Sequence, residues 1–189
     1  KFGKIDMPYL EMRQYEKDKG AHAMILCDYG ILQMDYETTK GEFYYLYTRH
    51  VRFKIFDKSG YDWADFPIYL SQNGSDKDNL YKFKAATYNL ENGKIVSTEL
   101  KKKEVMMEES SESWTIAKVA MPEIKEGSVF EISYTIRSPF YWNLEGWQFQ
   151  YSIPVAYTEY RMEYPEWFQY NHSYKGYDLG ALTVNDEGR

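Results

Sequence analysis

The sequence predicts a mostly β protein, an antiparallel β-sandwich with a short N-terminal helix. Aromatic residues make up 19% of the 189-residue chain, and its 20 Tyr and 10 Phe are residue types that favour strands. Several short segments alternate apolar and polar residues, which is typical of strands with one buried and one wet face. An Asn-Gly pair lies between two such segments and predicts a tight β-hairpin. Many short antiparallel strands of this kind favour two sheets packed face to face.

The first predicted elements are a helix and two strands. Residues 6–16 favour the helix, because Asp6 can cap its first turn. An apolar run over residues 21–29 predicts a strand that Gly30 is expected to end. A second strand is predicted over residues 31–37.

The longest predicted strand covers residues 43–56. Its odd positions are mostly apolar, whereas its even positions include His50 and Lys54, so the even face is expected to be solvated. A similar alternation over residues 130–137 predicts that Glu131 lies on the wet face of its strand.

The remaining strands follow from turn signals and alternation. A type I′ turn at Asn92-Gly93 predicts a hairpin, because both central residues of this turn need a positive φ. Three more segments have the strand pattern: residues 114–121, ended by Pro122, 147–153 and 159–164. The aromatic residues that alternate within 147–153 are expected to face the core.

Size and charge restrict the classes of protein that fit. The chain is long enough to bury a core without a disulfide, and its formal net charge of -6 argues against a nucleic-acid surface. Its apolar runs are too short for a membrane span. We interpret residues 1–165 as a single β-sandwich domain and residues 166–189 as a linker or last strand towards a following domain. Because the chain begins at Lys1 without an initiator Met or a signal peptide, we expect it to be a piece of a longer polypeptide.

No residue is predicted to be catalytic. Cys27 is the only cysteine, which excludes an internal disulfide and a multi-thiolate metal site. It lies in an apolar strand-like run, five residues from His22 and therefore on the opposite face, so we interpret it as a small buried hydrophobic residue. The histidines have no close metal-ligand spacing, and we predict neither a metal nor a cofactor.

Residues 73–79 (NGSDKDN) leave one alternative open. Oxygen-bearing side chains in a flexible loop could hold calcium, but the segment lacks the full Asp-x-Asp-x-Asp-Gly pattern and the closing Glu. An ordinary surface loop is the favoured interpretation. A pair of carboxylates for acid-base catalysis cannot be read from spacing, because in a β protein the partners come from different strands.

Two aromatic clusters, at residues 140–151 and 167–177, contain the candidate binding residues. Tyr141 and Trp142 lie in a predicted loop, and together with Trp167 they are candidates to stack on sugar rings or to grip a partner domain.

Several segments together resemble a known family. They are residues 21–26 (AHAMIL), 84–94 (KAATYNLENGK), 100–105 (LKKKEV), 122–134 (PEIKEGSVFEISY), 137–139 (RSP), 147–150 (WQFQ) and 153–155 (IPV). The set resembles the domain of unknown function 3857, which in Bacteroidetes-type bacteria stands on the N-terminal side of a transglutaminase-like core in secreted proteins. The resemblance covers most of residues 3–165, and its motifs are structural segments and not catalytic signatures.

The resemblance implies a fold, a location and a partner. The implied fold is a β-sandwich similar to the N-terminal domain of zinc aminopeptidases, and the implied location is the periplasm or the cell surface. The implied partner is a C-terminal transglutaminase-like domain of the same polypeptide. Such a core needs its own Cys, His and Asp triad, which the residues here do not match, so any catalytic chemistry is expected beyond Arg189.

These observations give a leading hypothesis and two alternatives. The leading hypothesis is a non-catalytic accessory domain that docks on the following papain-like core and shapes or shields the approach of substrate. The first alternative is a carbohydrate-binding module in which Tyr141, Trp142 and Trp167 stack on sugars. A glycan or a peptide is a candidate partner of the chain besides the transglutaminase-like domain. The second alternative is a hydrolase that uses carboxylates, although nothing in the sequence selects a pair.

Overall fold

The structure, a computed structural model, describes residues 1–176 and 179–185. The described part has ten strands, one short α-helix and three short 3-10 helices, at Lys58–Ala64, Lys102–Glu104 and Leu179–Ala181. In chain order the helix and strands are α1 Met7–Glu11, β1 Ala23–Glu37, β2 Glu42–Ile55, β3 Asp65–Asn73, β4 Asp76–Lys77, β5 Asn79–Glu91, β6 Lys94–Leu100, β7 Met106–Ser111, β8 Trp114–Ala120, β9 Val129–Ser138 and β10 Thr158–Glu163. None of the helices in these residues has the length and apolar character needed to cross a membrane.

Two sheets face each other and confirm the predicted β-sandwich. Six strands form the large sheet in the order β10-β1-β2-β9-β5-β6, and four form the small sheet in the order β4-β3-β8-β7. The main core joins Val51, Phe53 and Ile132 of the large sheet to Ile68 and Val119 of the small sheet, all at most 2% exposed.

One strand pair departs from the predicted antiparallel arrangement. β10 pairs with β1 in parallel, whereas the other paired strands in the described residues are antiparallel. The reason is the connection over residues 139–157, which carries the chain from the end of β9 to the far side of β1. β10 therefore runs in the same direction as β9 and as its neighbour β1. A chain that returns to a sheet in the same direction needs a long crossover of this kind.

Most of the predicted strands are confirmed, and so is the hairpin. β2, β8, β9 and β10 begin and end within one residue of the predicted bounds. Asn92 and Gly93 have φ values of 50° and 75°, as a type I′ turn requires, and Glu91 pairs with Lys94 across the turn.

The prediction that Gly30 ends a strand is wrong, because β1 continues through it. A Cβ atom added at Gly30 would lie 2.2 Å from Cζ3 of Trp147. The missing side chain therefore makes room for the indole ring, which in turn stacks on Tyr160 with ring centroids 5.1 Å apart. Close packing, and not a turn, explains this glycine.

The strand predicted over residues 147–153 is also wrong, and the predicted helix is shorter than expected. Residues 147–153 form no strand in the described structure, but Trp147, Tyr151 and Ile153 pack against the main core and produce the alternating pattern. Alternation shows that an extended chain has one face on a core, and it does not show that the backbone pairs with a neighbouring strand. The N-terminal helix is present as the five residues of α1.

The outer face of the large sheet is covered as well, which corrects the predicted solvated face. The N-terminal segment packs there around Leu10 and forms a second apolar cluster. Beneath it Lys54 is fully buried, and its Nζ donates to the carbonyl oxygens of Leu10 (2.9 Å) and Gly127 (2.6 Å). The side chain of His50 is 17% exposed and bonds to Glu131. The covering segment lies far away along the chain, so the strand pattern alone does not reveal it.

The C-terminal part of the chain is described only in sections. Residues 166–189, predicted as a linker or last strand, include the 3-10 helix at Leu179–Ala181, whereas residues 177–178 and 186–189 lie outside the described residues. The domain boundary at residue 165 stays a prediction.

Candidate functional site

Aromatic side chains from three parts of the chain meet at the end of the large sheet where β1 turns into β2. Tyr36 and Phe43 are opposite each other across this hairpin, with ring centroids 4.8 Å apart. Phe43 also contacts Tyr141 of the loop after β9 (5.8 Å) and Phe168 of the C-terminal segment (5.0 Å). We call this surface the aromatic end and define it by Tyr36, Phe43, Tyr141, Trp142, Phe168 and Tyr170.

Local contacts shape the loop after β9. β9 ends at Ser138, whose hydroxyl accepts a hydrogen bond from the Phe140 N–H at 3.2 Å, and the Phe140 side chain is buried. The Tyr141 N–H donates to the Pro139 carbonyl at 3.0 Å. With Phe140 as its anchor, the loop leaves Trp142 62% exposed, in edge-to-face contact with Tyr141 at 5.1 Å.

The C-terminal segment holds the same loop from the other side. The Tyr170 hydroxyl donates to the Tyr141 carbonyl at 3.0 Å, and its ring stacks on Phe168 with 6° between the planes. Phe168 also meets Tyr141 edge-on at 6.2 Å. These contacts join distant parts of the chain into one surface.

The three predicted binding residues do not all belong to this surface. Tyr141 is half-buried in it, and Trp142 stands exposed at its edge. Trp167 is 71% exposed and has no ring contact with Tyr141 or Trp142 in the part of the chain that the structure describes. Tyr177 of the predicted aromatic cluster lies outside the described residues.

Sequence reasoning missed Tyr36 and Phe43, which lie in predicted strands. Tyr36 is 45% exposed, and Gly41 in the turn between the two strands has a φ of 72°. The turn is the signal that could have found them. Pairing residues outward from it places Tyr36 opposite Phe43, and aromatic cross-strand pairs stabilise hairpins.

Several charged residues beside the aromatic end are already paired. Arg137 lies 3.9 Å from the ring centroid of Tyr44 and donates to Glu37 at 2.6 Å. The Tyr44 hydroxyl donates to Asp35 at 2.7 Å, and this bond together with the Tyr36 N–H lowers the pKa of Asp35. These charged groups are therefore engaged within the chain, and the aromatic rings form the apolar part of this surface.

A group of hydrogen-bonded polar residues around Glu131 is buried on the outer face of the large sheet, and its role is structural. Glu131, predicted on a wet face, is fully buried, and its carboxylate accepts hydrogen bonds from the Gly3 N–H (2.6 Å), His50, Arg52 and Tyr88 (2.8 Å each). Burial alone would raise the pKa of Glu131, but these hydrogen bonds lower it to about 2. The ionised carboxylate therefore fastens the N-terminal segment to the sheet.

Cys27 is half-buried in β1. Burial raises the pKa of its thiol, which opposes formation of a nucleophilic thiolate. The three histidines hydrogen-bond to other residues: His22 to Asp57, His50 to Glu131 and His172 to Tyr164.

Residues 73–79 are the calcium alternative of the sequence. Within them the end of β3 and β4 form a tight hairpin with Gly74 at its turn, and β5 begins at Asn79. The Asp78 carboxylate accepts a hydrogen bond from the Ser71 N–H at 2.8 Å, and burial raises its pKa. Within residues 1–176 and 179–185, no group of three or more His, Cys, Asp or Glu is arranged to hold a metal ion. Asp78 thus supports the backbone of the hairpin.

The fold and the aromatic end define a two-sheet β domain with an exposed aromatic surface. The chain belongs to the family of the domain of unknown function 3857 (DUF3857), whose profile matches residues 45–189. This match confirms the family predicted from the sequence, although the matched residues begin later and end later than the expected residues 3–165. The description of the family assigns it no function. No curated protein matches the chain.

One similar solved structure is that of "a putative protease" from Parabacteroides distasonis ATCC 8503. It is 9% identical in sequence, the similar region covers 62% of this chain, and the TM-score is 0.46. The chain spans 23% of the length of that protein.

Proposed function

We propose that this chain is a non-catalytic accessory domain that docks through its aromatic end on a transglutaminase-like core of the same polypeptide. The exposed rings around Trp142 carry this proposal. Aromatic residues are enriched at the centres of protein interfaces, and contiguous exposed apolar surface marks such sites. The resemblance to the domain 3857 family supplies the partner, since it implies a neighbouring transglutaminase-like core.

Trp142 has enough exposed surface to contribute strongly to binding. The side chain is 62% exposed, so a docked partner can remove roughly 120 Å² of indole surface from water, taking a tryptophan as roughly 200 Å². At about 25 cal/mol per Å², this burial is worth about 3 kcal/mol, the size of an interface hot spot. The contacts of Tyr141 with Phe168 and Tyr170 hold the loop in place, so docking costs little conformational entropy.

The position of the C-terminal segment supports a partner in the same polypeptide. Phe168 and Tyr170 form part of the aromatic end. A domain that followed this segment would be tethered beside the surface at a high effective concentration.

The test is calorimetric titration of this chain with the transglutaminase-like segment of the same gene, each produced as a separate protein. Loss of about 3 kcal/mol predicts that Trp142→Ser weakens binding by about 100-fold. Trp114→Ser is the matched control, because Trp114 is also exposed, at 42%, but lies on the small sheet. Its affinity should stay within about twofold of the unchanged chain. Undiminished binding by Trp142→Ser would contradict the proposal, as would failure of the unchanged chain to bind.

We also propose that the whole protein is exported to the periplasm or the cell surface. The support is the resemblance to a family of secreted proteins. Fractionation of cells that produce the full-length protein tests this location, and retention in the cytoplasm would contradict it.

Stacking on sugars is a second candidate function, favoured by the exposure of Trp142 and Trp167 at 62% and 71%. Exposed aromatic faces of this kind can pack against sugar rings. Titration with a broad oligosaccharide panel, followed by tryptophan fluorescence, tests it. A response that Trp167→Ser abolishes would favour sugar binding, and no response across the panel would count against it.

A further inference from the structure

A cavity of about 630 Å³ lies between the two sheets, and none of its lining residues belongs to the aromatic end. Residues of β2 and β9 line one side, residues 62–69 another, and residues 145–151 cover it. The volume is in the range of small-ligand and side-chain binding sites.

Aromatic rings form much of the wall of this cavity. They include Tyr47, Trp63, Phe66, Tyr134, Trp147 and Tyr151. Within this wall Trp63 and Tyr151 meet edge-to-face, with ring centroids 6.3 Å apart. The faces of such rings carry partial negative charge and attract cations.

Arg49 shows that this wall accepts a cation. Its guanidinium carbon lies 5.1 Å from the ring centroid of Trp147 and 5.4 Å from that of Phe66. Its charge is balanced by the fully buried Asp28, which it contacts at 2.8 and 2.6 Å, and it also donates to the Tyr151 hydroxyl at 2.8 Å. Because the charges of Arg49 and Asp28 cancel, the net charge of the cavity is set by its other charged residues.

Three carboxylates supply that charge, those of Asp62, Asp65 and Glu145, which line the cavity. None of the three forms an ion pair in the described part of the chain. Glu145 acts electrostatically on two tyrosines of the aromatic wall. Burial raises the pKa of Tyr47 and of Tyr134, and the negative charge of Glu145 adds to both effects. The cavity is therefore an aromatic chamber with an excess of negative charge.

We propose that this cavity binds the side chain of a lysine or arginine carried by a peptide. The unpaired carboxylates complement a cationic head group, and the aromatic wall suits both that group and its apolar stem. The volume exceeds that of one side chain, which leaves room for neighbouring peptide groups. This inference does not rest on docking through the aromatic end.

The test compares three probes by calorimetry and by the indole N–H signals in NMR spectra of this chain. The probes are acetyl-Gly-Lys-Gly-amide, the same peptide with norleucine in place of lysine, and butylamine. We expect the lysine peptide to bind at least about tenfold more tightly than either of the others, because only it combines the charge with the peptide groups. We also expect it to shift the signals of Trp63 and Trp147 while those of Trp114 and Trp142 stay in place.

Charge variants make the test specific to this cavity. Glu145→Gln should weaken binding of the lysine peptide about tenfold, as loss of a charged hydrogen-bond partner does, and Asp62→Asn should weaken it in the same direction. Glu112→Gln is the control, since it removes the same charge from an exposed turn between β7 and β8, and it should leave binding unchanged.

Three results would overturn the proposal. They are equal affinity for the lysine and norleucine peptides, undiminished binding by Glu145→Gln, and shifts at Trp142 in place of Trp63 and Trp147. Butylamine that binds as tightly as the peptide would overturn the assignment of a peptide ligand. If Trp142→Ser abolishes docking on the transglutaminase-like core but still binds the lysine peptide, the two proposals concern independent sites.

Discussion

Replacing Glu131 with glutamine is expected to destabilise the fold strongly at neutral pH. The carboxylate is fully buried and accepts hydrogen bonds from the Gly3 N–H, His50, Arg52 and Tyr88. Glutamine has nearly the same shape but no charge. It leaves the Arg52 guanidinium without its buried anion and places amide hydrogens against other donors.

The magnitude follows from the pKa of Glu131, which the fold lowers from 4.5 to about 2. A shift of roughly 2.5 pKa units at 1.36 kcal/mol per unit corresponds to about 3 kcal/mol of stability. Because the folded pKa is the lower one, this stability is fully present above about pH 5 and is lost as the pH falls towards 2. Glutamine mimics the protonated carboxyl group, so the difference between the two proteins should shrink over the same pH range.

Urea unfolding followed by tryptophan fluorescence at pH 7, 5, 4 and 3 measures this difference. Glu109→Gln is the control, because Glu109 is an exposed carboxylate on β7, and its effect should stay within about 0.5 kcal/mol. A loss below about 1 kcal/mol for Glu131→Gln at pH 7 would refute the reasoning. So would a difference that stays constant between pH 5 and pH 3.

Two further substitutions test the packing of the large sheet. The pKa of Lys54 is lowered to about 8 by burial, so the unfolded chain binds more protons than the folded one between pH 8 and 10.5. Urea unfolding should therefore show wild-type stability rising over this range, relative to Lys54→Met, by up to about 3 kcal/mol; a constant difference would contradict the pKa. Gly30→Ala should lose about 2–3 kcal/mol in the same assay, because its Cβ would meet Trp147 at 2.2 Å. Gly20→Ala is the control, because its Cβ would lie at an ordinary 3.6 Å from Oδ1 of Asp18. Equal stability of the two variants would show that the Trp147 side chain moves aside without cost.

The strands were predictable where turn residues or the alternation of apolar and polar residues determine them. Asn92 and Gly93 need a positive φ for their turn, and few residue types adopt it easily. The alternation in β2 and β9 reports correctly that one face of each strand lies on the main core. The same rule assigned the other face to solvent, and there it was wrong. Lys54 and Glu131 are polar residues that a distant segment covers and pairs.

The candidate site was predictable only in part. Tyr141 and Trp142 follow the end of β9 in a loop that a proline signals, and such loops carry exposed side chains. Tyr36 and Phe43 join them because a hairpin and a C-terminal segment meet there in space. Contacts across such distances in the chain leave no periodic signal in the sequence.

The sequence by itself determined the class of fold, most strand positions, the hairpin turn and membership of the domain 3857 family, because each depends on local patterns or on short segments of the sequence. Only the tertiary structure decided that Gly30 makes room for Trp147, that Glu131 binds the N-terminal segment, and that β10 runs parallel to β1. These features depend on which distant segments pack together. Alternation along one strand records that a face is buried, and it does not record what buries it.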